Sequence, residues 1–195
     1  MTNRDLEFLF EIGSLRNLQR SWRQTLGVDC ASVSEHTFRV LWLSLIIAKR
    51  ESEVDENKIM RMALVHDIAE TRTSDHNYVH AVYVSSDEET ATKDIFDETT
   101  LGDFLDVLKE YENRESLEAK IVKDADNLDV DFELKELEEQ GSKLPEKWQE
   151  FRRKVRDEKL YTNSAKEIWD ELQKTNVADW HLKSNKWVKK PEAGR

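Results

Sequence analysis

Three stretches of this chain place imidazoles and carboxylates where a helix should show only hydrocarbon. At roughly 100° per residue, His36, Val40, Leu43 and Ile47 fall on one line, so an imidazole heads a buried stripe. Ile59, Met62, Ala63, His66, Asp67 and Glu70 share a second arc, apolar first and polar in its final turn. Burying an imidazole and two carboxylates is costly unless something compensates them, and a divalent cation does so because it accepts both nitrogen and oxygen ligands. A capping histidine or a His–Glu hydrogen bond one turn apart satisfies the same patterns. A third stretch offers two aspartates. Leu117, Ile121, Ala125, Leu128 and Phe132 form one stripe with Asp124 at its margin, while Asp126 lies in a second arc with Ala119, Val122, Val130 and Leu137. Two apolar arcs predict a helix buried on two sides, and periodicity does not choose between the aspartates.

The elements that position these groups are helical. Expected helices run over residues 5–18, 34–49, 55–70, 87 onward, 101–111, 114–139, 145–159 and 164–173. Leu6, Leu9, Phe10, Ile12 and Leu15 are the expected buried set of the first, and Ser34 and Ser164 are N-cap candidates. Residues 71–86 lose the helical period and read as a loop of the kind that carries chemistry. Five Gly and two Pro are few for a turn-rich chain, so an all-β sandwich or barrel is excluded. The expected fold is all-α, a single bundle of about seven or eight helices. Six Trp, seven Phe and four Tyr in 195 residues argue for a packed core despite a 36% charged composition. A net charge of −11 disfavours a nucleic-acid polymer or an anionic membrane as partner. The single cysteine, Cys30, excludes an intramolecular disulfide. The absence of a signal-peptide layout or a membrane-length apolar run gives a cytoplasmic expectation.

His36, the adjacent His66-Asp67 and an aspartate about sixty residues on resemble the H…HD…D signature of the HD-domain metal-dependent phosphohydrolases. The match extends to Val33-Ser34-Glu35-His36, to the run from Ala63 to Glu70, and to the run from Ala119 to Asp126. These resemble the small HD 5′-deoxynucleotidases over residues 5–140. That subgroup ends its third motif in Lys-x-x-Asp, so Lys123-Asp124-Ala125-Asp126 assigns the ligand to Asp126. The resemblance matches Arg20 and Trp22 to a substrate-side pair and Asp75 to a loop aspartate often preceded by Gly, where this chain has Ser74.

The resemblance implies one divalent transition metal (Mn, Co, Fe, Ni or Zn by ligand type) held by His36, His66, Asp67 and Asp126. Glu70 is then placed to orient or deprotonate water, or to pass a proton to the leaving alkoxide. Asp75 accepts a sugar hydroxyl or serves as general acid, Arg20 offers a fork for phosphate, and Trp22 faces sugar or base. For Arg20 the alternative is a surface ion pair, and for Trp22 a core aromatic. His76 and His80 have the spacing of a second metal pair, although the third motif resembles the one-metal type; His181 reads as a tail histidine. The implied activity is hydrolysis of (deoxy)nucleoside 5′-monophosphates. The alternatives are another nucleotide (a triphosphate, an alarmone or a cyclic phosphodiester) or a non-enzymatic, metal-stabilised module. Residues 1–160 are the expected HD domain, with residues 161–195 a helix and Trp-containing tail packed on it. Trp169, Trp180 and Trp187 near the C-terminus, with the dimers common in the family, point to a homodimer.

Overall fold

The computed structural model describes residues 3–184 and is all-α. Its helices are α1 Asn3–Gly13, α2 Arg23–Leu26, α3 Val33–Ala48, α4 Glu56–Val65, α5 Glu70–Thr73 and α6 His80–Tyr83, followed by α7 Glu88–Phe96 and α8 Phe104–Asn113. The rest are α9 Leu117–Glu139, α10 Leu144–Glu158, α11 Asn163–Leu172 and α12 Asp179–Leu182. The only β pairing among the described residues is an antiparallel bridge between Gln19 and Ser32.

Helix α9 is the axis, packed by α3, α4, α8, α10 and α11. Its two arcs are both buried, as the sequence pattern requires: Ile121, Ala125 and Leu128 lie in the main core, and Val130, Leu134 and Leu137 form a second cluster with Leu26. Val40, Leu43 and Ile47 of α3 and Ile59, Met62 and Ala63 of α4 complete the main core. The stripe that His36 heads and the stripe that His66 ends therefore face α9.

Local chemistry corrects several boundaries. Helix α3 is capped by Ser32, not Ser34: the Ser32 hydroxyl accepts from Glu35 N–H while the Glu35 carboxylate accepts from Ser32 N–H, a reciprocal capping box. Helix α11 is capped by Thr162, whose hydroxyl accepts from Ala165 N–H, so Ser164 lies inside the helix. The expected 55–70 helix stops at Val65; residues 66–69 continue in tighter i→i+3 turns, including Ile68 N–H to Val65 C=O and Glu70 N–H to Asp67 C=O. In α1 the inward face is Asp5, Phe8 and Ile12, and Leu6, Leu9 and Phe10 stay exposed, because the helix docks its Phe8 ring on Phe96. Trp169 of α11 is buried in the main core, so its burial is intramolecular. Trp180 is 76% exposed, and Trp187 lies outside the described residues.

Candidate metal centre

His36 sits in the first turn of α3, and His66 and Asp67 in the tight turn after α4. Their ligand atoms converge within 4.8 Å of one another. His36 Nε2 lies 3.2 Å from His66 Nε2, and Asp67 Oδ2 is 3.3 Å from each of these nitrogens. Asp126 of α9 joins the group through Oδ1, 3.3 Å from His36 Nε2. An ion bonded at about 2.1 Å to two donors holds them about 3.0 Å apart at a right angle and about 3.4 Å apart at a tetrahedral one. The observed separations fall inside that interval.

The outer ring nitrogens decide what the inner ones can do. His66 Nδ1 lies 2.9 Å from the Ala63 carbonyl, which only accepts, so Nδ1 carries the hydrogen. His36 Nδ1 faces Asp129 Oδ2 at 2.6 Å. Both Nε2 atoms are thus turned toward the same point as donors of electron pairs, an arrangement that calls for a cation between them. The three carboxylates that surround His36 set up a negative field at this point. Burial opposes charge on His36, but hydrogen bonds to Asp126, Asp129 and Asp67 outweigh it and lift the imidazole well above the ordinary histidine value. Burial holds His66 below that value. Burial also opposes ionisation of Asp67, yet His66 and His36 keep its carboxyl below the usual range. Asp126 is held low against its burial by Lys123, His36 and His66.

Four acidic side chains (Asp67, Glu70, Asp75 and Asp126) meet two cations here. Arg20 is buried, with Nη1 3.1 Å from Asp67 Oδ2 and Nε 3.5 Å from Asp75 Oδ2. It reaches the site because its backbone N–H bonds to the Ala31 carbonyl beside the Gln19–Ser32 bridge, so the surface ion-pair alternative is excluded. Lys123 Nζ is 2.7 Å from Asp126 Oδ2. Glu70 is half-buried, its Oε2 shielded from solvent and lacking a hydrogen-bond partner; burial, then Asp67 and Asp75, push its pKa up to about 9. Asp75 Oδ2 accepts from Ser21 N–H at 2.6 Å and Ser21 Oγ–H at 3.0 Å, tying the Arg20 segment to the loop after α5. A cavity of about 560 Å³ opens beside His66, walled by α7 and α8 with Glu88, Lys93, Lys109 and Glu112.

Trp22 packs its ring against Trp148 at 5.6 Å and Tyr78 at 6.3 Å, at the edge of the cluster around Leu26. Asp124 is turned away from the histidines. Its carboxylate accepts from Tyr161 N–H, Thr162 N–H and Thr162 Oγ–H at 2.7–2.8 Å, holding the start of α11. The His76 and His80 rings are 6.1 Å apart, and no third ligating group joins them among the described residues. Sequence reasoning missed Asp129. Its signal was present as an i,i+3 pair with Asp126 on one face of a buried helix.

The HD domain pattern matches residues 12–176. The chain belongs to the HD-domain family. This HD-domain protein is 31% identical to 5′-deoxynucleotidase HDDC2 of Dictyostelium discoideum over 156 residues, covering 73% of this chain and 82% of that one. It is 32% identical to 5′-deoxynucleotidase HDDC2 of Danio rerio over 155 residues, 75% of each chain. Among solved structures it resembles a conserved hypothetical protein from Pyrococcus furiosus, with a TM-score of 0.74 and 27% identity, over 87% of this chain and 99% of that one.

Proposed function

We propose that this HD-domain protein hydrolyses (deoxy)nucleoside 5′-monophosphates to nucleoside and phosphate, using one divalent transition-metal ion held by His36, His66, Asp67 and Asp126. The observation that carries the reading is the convergence of the two Nε2 atoms and Asp67 Oδ2 on one point, beside a buried arginine and a half-buried Glu70 whose Oε2 has no hydrogen-bond partner. Relatives named as 5′-deoxynucleotidases support the substrate class. A divalent ion in such a site activates water and neutralises charge on a phosphate oxygen. The remaining work falls to side chains. Arg20 presents its guanidinium to the phosphate and keeps Asp67 in place. Glu70 holds its proton at neutral pH, which suits donation to the departing 5′-oxygen as the P–O bond breaks and the water oxygen bonds to phosphorus. Asp75 orders the Arg20–Ser21 segment and is at hand for a sugar hydroxyl.

Phosphate release from a panel of deoxynucleoside and nucleoside monophosphates and triphosphates, with Mn²⁺, Co²⁺ and Zn²⁺ in turn, tests the reading. Monophosphates are expected to be turned over, and exclusive turnover of triphosphates would refute it. We propose further that the protein works in the cytoplasm, in keeping with its free Cys30, and as a homodimer. The outer face of α3 supports association: Phe38, Trp42 and Ile46, one turn apart, are 67%, 52% and 48% exposed.

A further inference from the structure

We propose that Asp129 is a positioning residue of the metal centre: its carboxylate fixes the orientation and the donor nitrogen of His36, and so sets how tightly a divalent cation binds. The inference rests on the reading of His36 as a ligand. Asp126 and Asp129 stand one turn apart on α9 and bracket the same imidazole. Asp126 Oδ1 is 3.3 Å from Nε2, and Asp129 Oδ2 is 2.6 Å from Nδ1. Turning the ring over exchanges each nitrogen for a carbon and breaks both contacts, so the bracket admits one orientation. The Asp129 bond is the short one, between groups that are both buried, and a charge-assisted hydrogen bond is roughly twice as strong as a neutral one.

The two histidines are therefore held differently. His66 donates Nδ1–H to a helix carbonyl, a neutral acceptor that no side-chain substitution removes. His36 donates to a carboxylate, which also makes Nε2 the better electron-pair donor. Asp129 is itself steadied. Arg39 Nε faces its Oδ1 at 3.4 Å as an ion pair without a hydrogen bond, and Arg39 Nη2 bonds both oxygens of Glu136 at 3.0 Å, so a fixed positive charge stands beside the second oxygen. Among the described residues, Asp129 makes no clamp between helices like that of Asp131, which holds α10 through Arg152.

The test measures Zn²⁺ binding to full-length protein by competition with a chromophoric chelator, with the His36 ring nitrogens followed by ¹⁵N NMR in the Zn²⁺ form. Outer hydrogen-bond partners of metal-bound histidines are worth about 10–100-fold in metal affinity. Asp129→Ala is expected to weaken Zn²⁺ binding within that range and to lose the single protonated-Nδ1 form. Asp129→Asn, whose amide oxygen still accepts from Nδ1–H, is expected to lose less and to keep the ring signature. Zn²⁺ affinity within twofold of wild type in both variants overturns the inference; if Asp129→Ala does not fold, Asp129→Asn decides by comparison with wild type, a loss of more than twofold supporting the proposal. A His36→Ala control separates the two readings, because wild-type affinity in that variant overturns the metal centre itself and this proposal with it.

Discussion

Exchanging the two aspartates of the third motif separates the metal centre from the scaffold. Asp124→Ala deletes a carboxylate that accepts three hydrogen bonds at the start of α11, and leaves the Tyr161 and Thr162 N–H groups without that partner. An orphaned buried donor costs about 1–3 kcal/mol, which for two N–H donors and one hydroxyl suggests a total of about 3–9 kcal/mol. That figure is too large, because burial raises the Asp124 pKa and outweighs the bonds that stabilise its ionised form, so deletion also removes an unfavourable charge. A net loss of about 2–3 kcal/mol follows, or roughly 4–12 °C in Tm for a chain of this size. Metal content should stay stoichiometric. Asp126→Ala should do the reverse: little change in Tm in chelator, and loss of metal from protein dialysed against Zn²⁺. The sign of the pH dependence gives a second check. A carboxyl whose pKa is raised on folding stabilises fully below its unfolded value, and that contribution is lost as pH rises through the folded one. The advantage of wild type over Asp124→Asn should therefore be larger near pH 4 than near pH 8. Calorimetry and elemental analysis read both variants. Metal lost from Asp124→Ala but retained by Asp126→Ala would refute the placement of both residues.

Three further outcomes are expected. Glu70→Gln should keep metal content and fold while kcat falls about 10²-fold or more, the usual scale of positioned proton transfer; near-normal turnover removes Glu70 from the chemistry. Ser74 sits at φ 65° and ψ 158°, a region nearly reserved for glycine, so Ser74→Gly relieves about 1–3 kcal/mol of strain against about 0.5–1 kcal/mol of added chain entropy. A gain of about 1 kcal/mol, or roughly 2–4 °C in Tm, should follow, and a lower Tm than wild type would show that the strain is not there. Light scattering at micromolar concentration should report twice the chain mass for wild type and a monomer for Trp42→Glu; a wild-type monomer defeats the dimer.

Much of the centre was legible because helical periodicity is rigid. His36, His66 and Asp67 interrupt stripes that a core would otherwise fill with hydrocarbon, and the fold places those stripes against α9 as the pattern demands. Asp124 and Asp126 were not separable by the same means. Helix α9 is buried on both arcs, so each aspartate occupies an inward position and only the neighbour it meets distinguishes them. One neighbour is the start of α11, 37 and 38 residues further along, and the other is an imidazole on α3; neither distance is written in a local period. Arg20 is a similar case. A bridge between Gln19 and Ser32, inside an otherwise helical protein, carries it inward, and no periodic signal marks such a bridge. The α3 cap is written in the sequence: Ser32-x-x-Glu35 is the capping-box spacing, whereas Ser34 has no acidic partner three residues on.

The charge arrangement explains why these scattered pieces stay together. Asp67 and Asp126 come from different elements and are held low in pKa, so two ionised carboxylates share a buried space with two imidazoles. Arg20 and Lys123 each answer one of them from outside, on the Oδ2 atoms. Asp67 Oδ2 and Asp126 Oδ1 nevertheless still face His36 Nε2, and Glu70 keeps its proton because further negative charge there is unfavourable. A site built this way has surplus negative potential at one point and donors already oriented toward it. Replacing either carboxylate by its amide should therefore weaken cation binding more than it weakens the fold.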